Sequence, residues 1–114
     1  MSRRGALELQ KRELLFLVKS RLGFSVRTTR GYWALITHVK HPSLTGQERA
    51  VIRTLLDPDQ IRVSKVDRAV YLFYRALGRK HLCVVAKRVD ARNGFIITAY
   101  ITEKIKEGRV VWKR

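Results

Sequence analysis

The sequence predicts an α+β domain in which N-terminal helices pack on a four-stranded antiparallel β-sheet. Three observations carry that expectation. Four apolar runs of strand length between Ile61 and Ile101 are separated by turn or charge clusters, which suits an antiparallel meander. Ahead of them, apolar residues recur at helical spacing over residues 6–22 and again from Tyr32 to Val39. The chain has 114 residues, enough for one domain and too few to favour a second.

Residues 1–23 read as an N-terminal helical segment. Leu7, Leu14, Leu15, Val18 and Leu22 share one helical face, and Lys11, Arg12, Lys19 and Arg21 fall largely off it. Gly23 follows where a helix takes a left-handed residue at its end. Residues 24–60 hold a short strand and further helices. Phe24, Val26 and Thr28 alternate with Ser25 and Arg27. The helix carrying Tyr32, Leu35, Ile36 and Val39 has Thr28 or Thr29 as its N-cap. It ends by His41, because Pro42 pushes the preceding residue out of the helical region. Thr45-Gly46-Gln47-Glu48 has the form of a capping box, opening a helix with Val51, Ile52, Leu55 and Leu56 as its stripe. Asp57-Pro58-Asp59 stops that helix.

Residues 61–112 are read as the meander and a C-terminal turn. Over residues 61–65, Ile61 and Val63 lie on one side and Arg62 and Ser64 on the other. Residues 69–76 and 81–89 are apolar on both sides, as interior strands are. Asn93-Gly94 turns the chain into residues 95–101, where Thr98 and Tyr100 are expected opposite Ile97 and Ala99. A charged helical turn over residues 103–107, then Gly108 and the apolar run 110–112, complete the chain.

Charge narrows the partner. There are 25 Lys and Arg against 9 Asp and Glu, a formal net charge of +16. Hydrophobic content is 46%, ordinary for a folded protein, so the charge does not signal disorder. Such a surface is steered toward polyanions: nucleic acid first, an anionic membrane second, an acidic protein third. The single cysteine, Cys83, sits in an apolar run, cannot form an internal disulfide, and fits a reducing, cytoplasmic setting. No run has the form of a signal peptide or a membrane-spanning helix.

No Cys-x-x-Cys, H-E-x-x-H, G-x-G-x-x-G or P-loop appears, so no metal or other cofactor is expected. What remains is a set of His, Arg, Lys, Ser, Thr and Tyr on a basic chain. That set suits RNA cleavage in which the substrate's own 2′-hydroxyl attacks the phosphate. Histidine suits the proton steps near neutral pH, and arginine suits the developing charge because it stays protonated and grips phosphate with two bonds.

The order of elements, the His41-Pro42 step, residues 57–64 (DPDQIRVS), 71–75 (YLFYR) and 94–100 (GFIITAY) together resemble the barnase–EndoU–colicin–RelE superfamily of small nucleases, over about residues 24–112. The resemblance implies a RelE-like α+β fold and a metal-independent endoribonuclease of toxin type. RNA, in some relatives on the ribosome, would be the substrate and an acidic antitoxin the partner, with no membrane and no small-molecule cofactor. Carried onto this chain, it implies His41, Arg62, Ser64, Thr98 and Tyr100 as catalytic residues. Arg75, Lys65, Lys87 and His38 are the expected nucleic-acid contacts. The chain departs from the family at Trp33, which is followed by Ala34 and Leu35 instead of a histidine; His38 stands one turn on.

The residues also have plainer readings. His41 is a surface residue before a proline, Arg62 and Arg75 are solvated strand positions, and Thr98 and Tyr100 suit strands by propensity. Tyr71, Phe73 and Tyr74 suit a core, or base stacking if exposed. Two alternatives to an enzyme stay open: a non-catalytic basic nucleic-acid-binding module, and an interaction protein that binds an acidic antitoxin.

Overall fold

The computed structural model describes residues 10–114. Its centre is a single seven-stranded mixed sheet in the order β1-β2-β6-β5-β4-β3-β7. The strands are β1 Leu14–Lys19, β2 Ser25–Thr29, β3 Gln60–Val63, β4 Val70–Leu77, β5 Lys80–Arg88, β6 Asn93–Thr102 and β7 Arg109–Lys113. Neighbouring strands are antiparallel except β2 and β6, which run parallel. Between β2 and β3 lie α1 (Arg30–Leu35), a π turn (Ile36–Lys40), a 3-10 turn (Pro42–Leu44) and α2 (Glu48–Leu56).

The four strands from β3 to β6 pair in order as a meander. The expected fold class is nonetheless overturned. The meander is the middle of a larger sheet, extended by the β1–β2 hairpin on one edge and by β7 on the other. Among the described residues the helices lie between β2 and β3, apart from a helical stretch at residues 10–12 ahead of β1.

The N-terminal helix is the largest correction. Part of it, residues 6–9, lies outside the described residues. Residues 10–12 are helical, but from Leu14 to Lys19 the chain is strand. The apolar run Leu14 to Val18 has no clear period, so the same residues satisfy a helix or a strand. Pairing with β2 decides it: Val18 sits opposite Val26 and Phe16 opposite Thr28, and Phe16 is buried in the core. Gly23 does adopt positive φ, +99°, but as the turn of the hairpin, where its N–H donates to Ser20 O.

Smaller corrections follow from local hydrogen bonds. Thr29 caps α1 by accepting from Tyr32 N. Past Leu35 the helix widens into the π turn, so its buried residues are Trp33, Ile36 and Thr37, while Leu35 and Val39 face solvent. The capping box does not form. Gln47 is the N-cap without a side-chain bond, and the Glu48 carboxylate instead accepts from Trp33 Nε1 at 2.7 Å. Residues 103–108 are irregular, not helical, and the run after them is the edge strand β7, paired with β3.

The strands carry two apolar layers. The main core lies on the helix-covered side: Phe24, Val26, Trp33, Ile36, Leu44, Val51 and Leu55 meet Ile61, Phe73, Val84, Ile96 and Ala99. Each fully buried aliphatic or aromatic side chain there contributes about 1.5–3 kcal/mol. The second layer, Leu72, Tyr74, Cys83 and Val85, lies on the opposite side, and Ile105 packs against it from outside the strands.

Candidate functional site: a cleft on the second face of the sheet

The register across four strands assembles the site. Arg62 pairs with Leu72, Leu72 with Val85 and Val85 with Thr98, forming one row across the sheet. Gln60, Tyr74, Cys83 and Tyr100 form the row beside it. Because side chains alternate along a strand, both rows face the second side, away from Ile61, Phe73 and Val84.

A bulge in β6 sharpens the arrangement. Val85 pairs with Thr98 but Ala86 pairs with Ile96, so Ile97 has no partner. The extra residue turns Ile97 onto the same face as Thr98 and Tyr100, while Ile96 and Ala99 stay in the main core. The expectation that Thr98 and Tyr100 lie opposite Ile97 is thereby corrected.

Leu72, Val85, Thr98 and Tyr100 of these rows help to line a cleft of ≈ 660 Å³, within the size range of small-molecule sites. Leu72, Val85 and Ile97 line its floor, Thr98 and Tyr100 one side, Ser64 and Lys65 another, and Lys106, Glu107 and Gly108 contribute from the segment before β7. Gly108 is required where it stands: its φ is +84°, and a Cβ there would lie 2.8 Å from Val63 O and 2.9 Å from Arg62 Cβ. A second depression of ≈ 480 Å³, between Gln10, Lys11, Glu13, Arg30, Gly31 and Ala34, touches none of the expected site residues.

His41 stands beside the cleft, on the helical side of Tyr100, and is not one of the residues that line it. The π turn ends on it, with its N–H donating to Ile36 O, and Pro42 holds it at φ −140°, ψ 76°. Its half-buried ring lies 6.0 Å from the Tyr100 ring, tilted by 40°. Nearby, the Tyr32 hydroxyl donates to Ile97 O, fixing α1 to the part of β6 beyond its pairing with β2.

The expected residues thus divide into groups. His41, Thr98 and Tyr100 stand on the β6 side of the cleft, and Arg62, Ser64 and Lys65 on the β3 side. Strands are spaced about 4.8 Å apart, so Arg62 and Thr98, three strands apart, are separated by about 14 Å at the backbone. Arg62 is also engaged: its Nε donates to Gln60 Oε1 at 2.8 Å and an Nη to Gly108 O at 3.4 Å. Lys87 faces the same side but pairs with Asp67 at 3.4 Å. The Asp67 carboxylate accepts from Ala69 N, which holds its pKa below the ordinary value.

Two expected contacts do not join the site. His38 is exposed on the π turn. Arg75 alternates with Tyr74 and so lies on the helix-covered side, where it donates to Asp57 O at 2.5 Å and to its carboxylate at 3.2 Å. Arg53 and Arg114 meet the same carboxylate, so this cluster ties α2 to β4 and the chain end. Lys106 is the cleft cation that sequence reasoning missed. Its only signal was membership in a charged run, which says nothing of where an irregular segment folds back.

Beneath the cleft lies a buried polar row. Burial pushes the Cys83 thiol up to about 12, and burial also raises the hydroxyls of Tyr74 and Tyr100 well above the tyrosine range, as does each one's interaction with Cys83. Across the strands Tyr100 pairs with Cys83 and Cys83 with Tyr74, and the Tyr100 ring meets His41. Tyr71 packs against the main core, and Phe73 and Tyr74 are buried.

Among the described residues, no group of three or more His, Cys, Asp or Glu side chains is placed to hold a metal ion, and no helix is long and apolar enough to cross a membrane. No family model, curated protein or solved structure matches this chain.

Proposed function

We propose that this chain is a metal-independent, toxin-like endoribonuclease whose reacting end is the His41–Tyr100 side of the cleft. The observation that carries the reading is the His41 ring seated against Tyr100 at the edge of a cleft lined with Ser64, Lys65, Thr98 and Lys106, on a chain of net charge +16. His41 takes the proton of the RNA 2′-hydroxyl. The 2′-oxygen bonds to phosphorus as the bond from phosphorus to the 5′-oxygen breaks, and solvent at the open rim protonates the departing oxygen. The products carry a 2′,3′-cyclic phosphate and a 5′-hydroxyl. Lys106 and Lys65 supply positive charge to the phosphates, and Ser64 offers a hydroxyl on the β3 side. Tyr100 is a positioning residue: it pairs with Cys83 across β5 and β6, and its ring lies against His41 and sets its angle. A small acidic protein that restrains the activity would be drawn by the net charge of +16 on the chain and would cover the cleft.

Purified protein incubated with RNA in EDTA tests the reading. Cleavage with cyclic-phosphate ends is expected, and His41→Ala should slow it about 10²–10⁴-fold. Absence of cleavage, or a His41→Ala variant as fast as the parent, would remove the catalytic claim.

One observation favours a second reading, a binding module without catalysis: Arg62, the expected charge stabiliser, is held on the far side of the cleft by Gln60 and Gly108. Such a module would bind RNA without cutting it, with log affinity falling against log salt by about 0.7 per phosphate contacted on a single strand.

A further inference from the structure

We infer that Tyr32 is a second positioning residue for His41: its hydroxyl pins the helical segment to β6 at Ile97 and thereby sets where the imidazole stands against Tyr100. The inference rests on reading His41 as the proton acceptor and adds a residue that lies outside the cleft lining.

The pin stands where β6 parts from its neighbour. β2 pairs with β6 only from Ser25–Asn93 to Arg27–Phe95. Beyond that point this edge of β6 is met by the helical segment, first at Tyr32 and then at the 3-10 turn. Such a contact has no ladder of backbone bonds to set its register. Apolar packing of Ile36 and Leu44, both fully buried, holds the segment on the sheet but is non-directional. The bond from the Tyr32 hydroxyl to Ile97 O, at the bulge of β6, supplies a direction.

Backbone bonds carry the anchor from Tyr32 to His41. The Ile36 N–H donates to the carbonyls of Tyr32 and Trp33. The His41 N–H donates to Ile36 O at 2.7 Å. That second bond spans five residues, as a π turn does, so the residue standing over Ile36 is His41; in an unbroken α-helix it would be Lys40. Tyr32, Ile36 and His41 therefore stack along one side of the segment. The His41 ring then meets the Tyr100 ring at 6.0 Å, and Tyr100 lies three residues past Ile97, about 10 Å along the strand. The path from Ile97 through Tyr32, Ile36 and His41 to Tyr100 thus returns to β6 and closes. Without the hydroxyl it opens at Ile97, and the imidazole loses its fixed angle. Proton transfer needs a heavy-atom distance of about 3 Å, so a small drift of the ring is costly.

Tyr32→Phe tests this, since it deletes the donor and keeps the ring. The first readout does not depend on activity. In protein with isotope-labelled histidine, the His41 ring signals are assigned by their absence in His41→Ala. The ring current of Tyr100 displaces them from the positions of a free imidazole. Tyr32→Phe should move them back toward those positions and leave the signals of His38 and His81 in place. The second readout is RNA cleavage: kcat should fall about tenfold or more, since a displacement of about 1 Å costs up to about 10²-fold, and KM should stay as in the parent. Thr29→Ala separates positioning from stability. It removes the bond from Tyr32 N and leaves the hydroxyl, so it should lower the unfolding midpoint without moving the His41 signals or kcat. His41 signals unchanged in Tyr32→Phe, signals displaced as far by Thr29→Ala, or a loss carried by KM alone would each overturn the inference. If the parent cleaves no RNA, the ribonuclease reading falls by itself; moved ring signals would still show Tyr32 to be the anchor of His41, and unmoved ones would overturn that too.

Discussion

Along β5, Leu82, Val84 and Ala86 point to the helix-covered side of the sheet, and Cys83 and Val85 point to the other. The first set meets residues of α1, the π turn and α2 and is sealed in the main core. The second set packs against neighbouring strands and Ile105, and a cleft opens beside it. The same strands thus carry two apolar layers with different roles. Helices complete one, and the other borders an open cleft.

Removing one side chain from each layer should show the contrast most strongly. Phe73 is fully buried on the covered side, and Phe73→Ala should cost about 3–5 kcal/mol in urea unfolding. Ile97 is half-buried on the cleft floor, and Ile97→Ala should cost about 1 kcal/mol or less while weakening binding of single-stranded RNA. Equal losses of stability at the two positions would erase the distinction between the layers.

A smaller effect is expected where the layers meet at the start of β6. A Cβ on Gly94 would lie 2.5 Å from Lys87 O and 2.8 Å from Phe24 Cε2. Gly94→Ala should cost about 1–3 kcal/mol through displaced backbone and core, read as a lower unfolding midpoint. No loss would mean that β5 and β6 are less closely paired there.

The buried row under the cleft predicts a pH effect on one layer alone. Cys83, Tyr74 and Tyr100 hold their protons in the folded state above their ordinary values of 9.0, 10.0 and 10.0. The unfolded chain releases those protons first, so the stabilisation is complete below those values and is lost as pH rises through them toward the raised ones. The urea midpoint should fall from about pH 9 upward, and the fall should be shallower in Tyr100→Phe. A midpoint independent of pH across that window would contradict the burial of this row.

The meander was legible because its runs are bounded by residues with one structural meaning, Asp57-Pro58-Asp59 before it and Asn93-Gly94 before its last strand. The β1 strand was not, since five consecutive apolar residues carry no period and only pairing with β2 distinguishes strand from helix. The short run Val110 to Trp112 becomes a strand because β3 offers it an edge. Ser64, Thr98 and Tyr100 stood out as polar residues in apolar strands, and the structure lines one cleft with them. Arg75 shows the converse: its charge suggested a site, and the structure places it on the covered side against Asp57. The bulge at Ile97 and the return of Lys106 to the cleft depend on tertiary fit and leave no local mark in the chain.

The central claim is that RNA occupies the second face, between His41 with Tyr100 and Ser64 with Lys65. Titrating a short single-stranded RNA into ¹⁵N-labelled His41→Ala protein, and following the amide resonances, tests it most directly. Shifts should concentrate at Ser64, Lys65, Ile97, Thr98, Tyr100 and Lys106, and leave Asp57 and Arg75 on the covered side unmoved. Shifts centred on the Asp57 cluster, or spread evenly over the basic surface, would contradict the account.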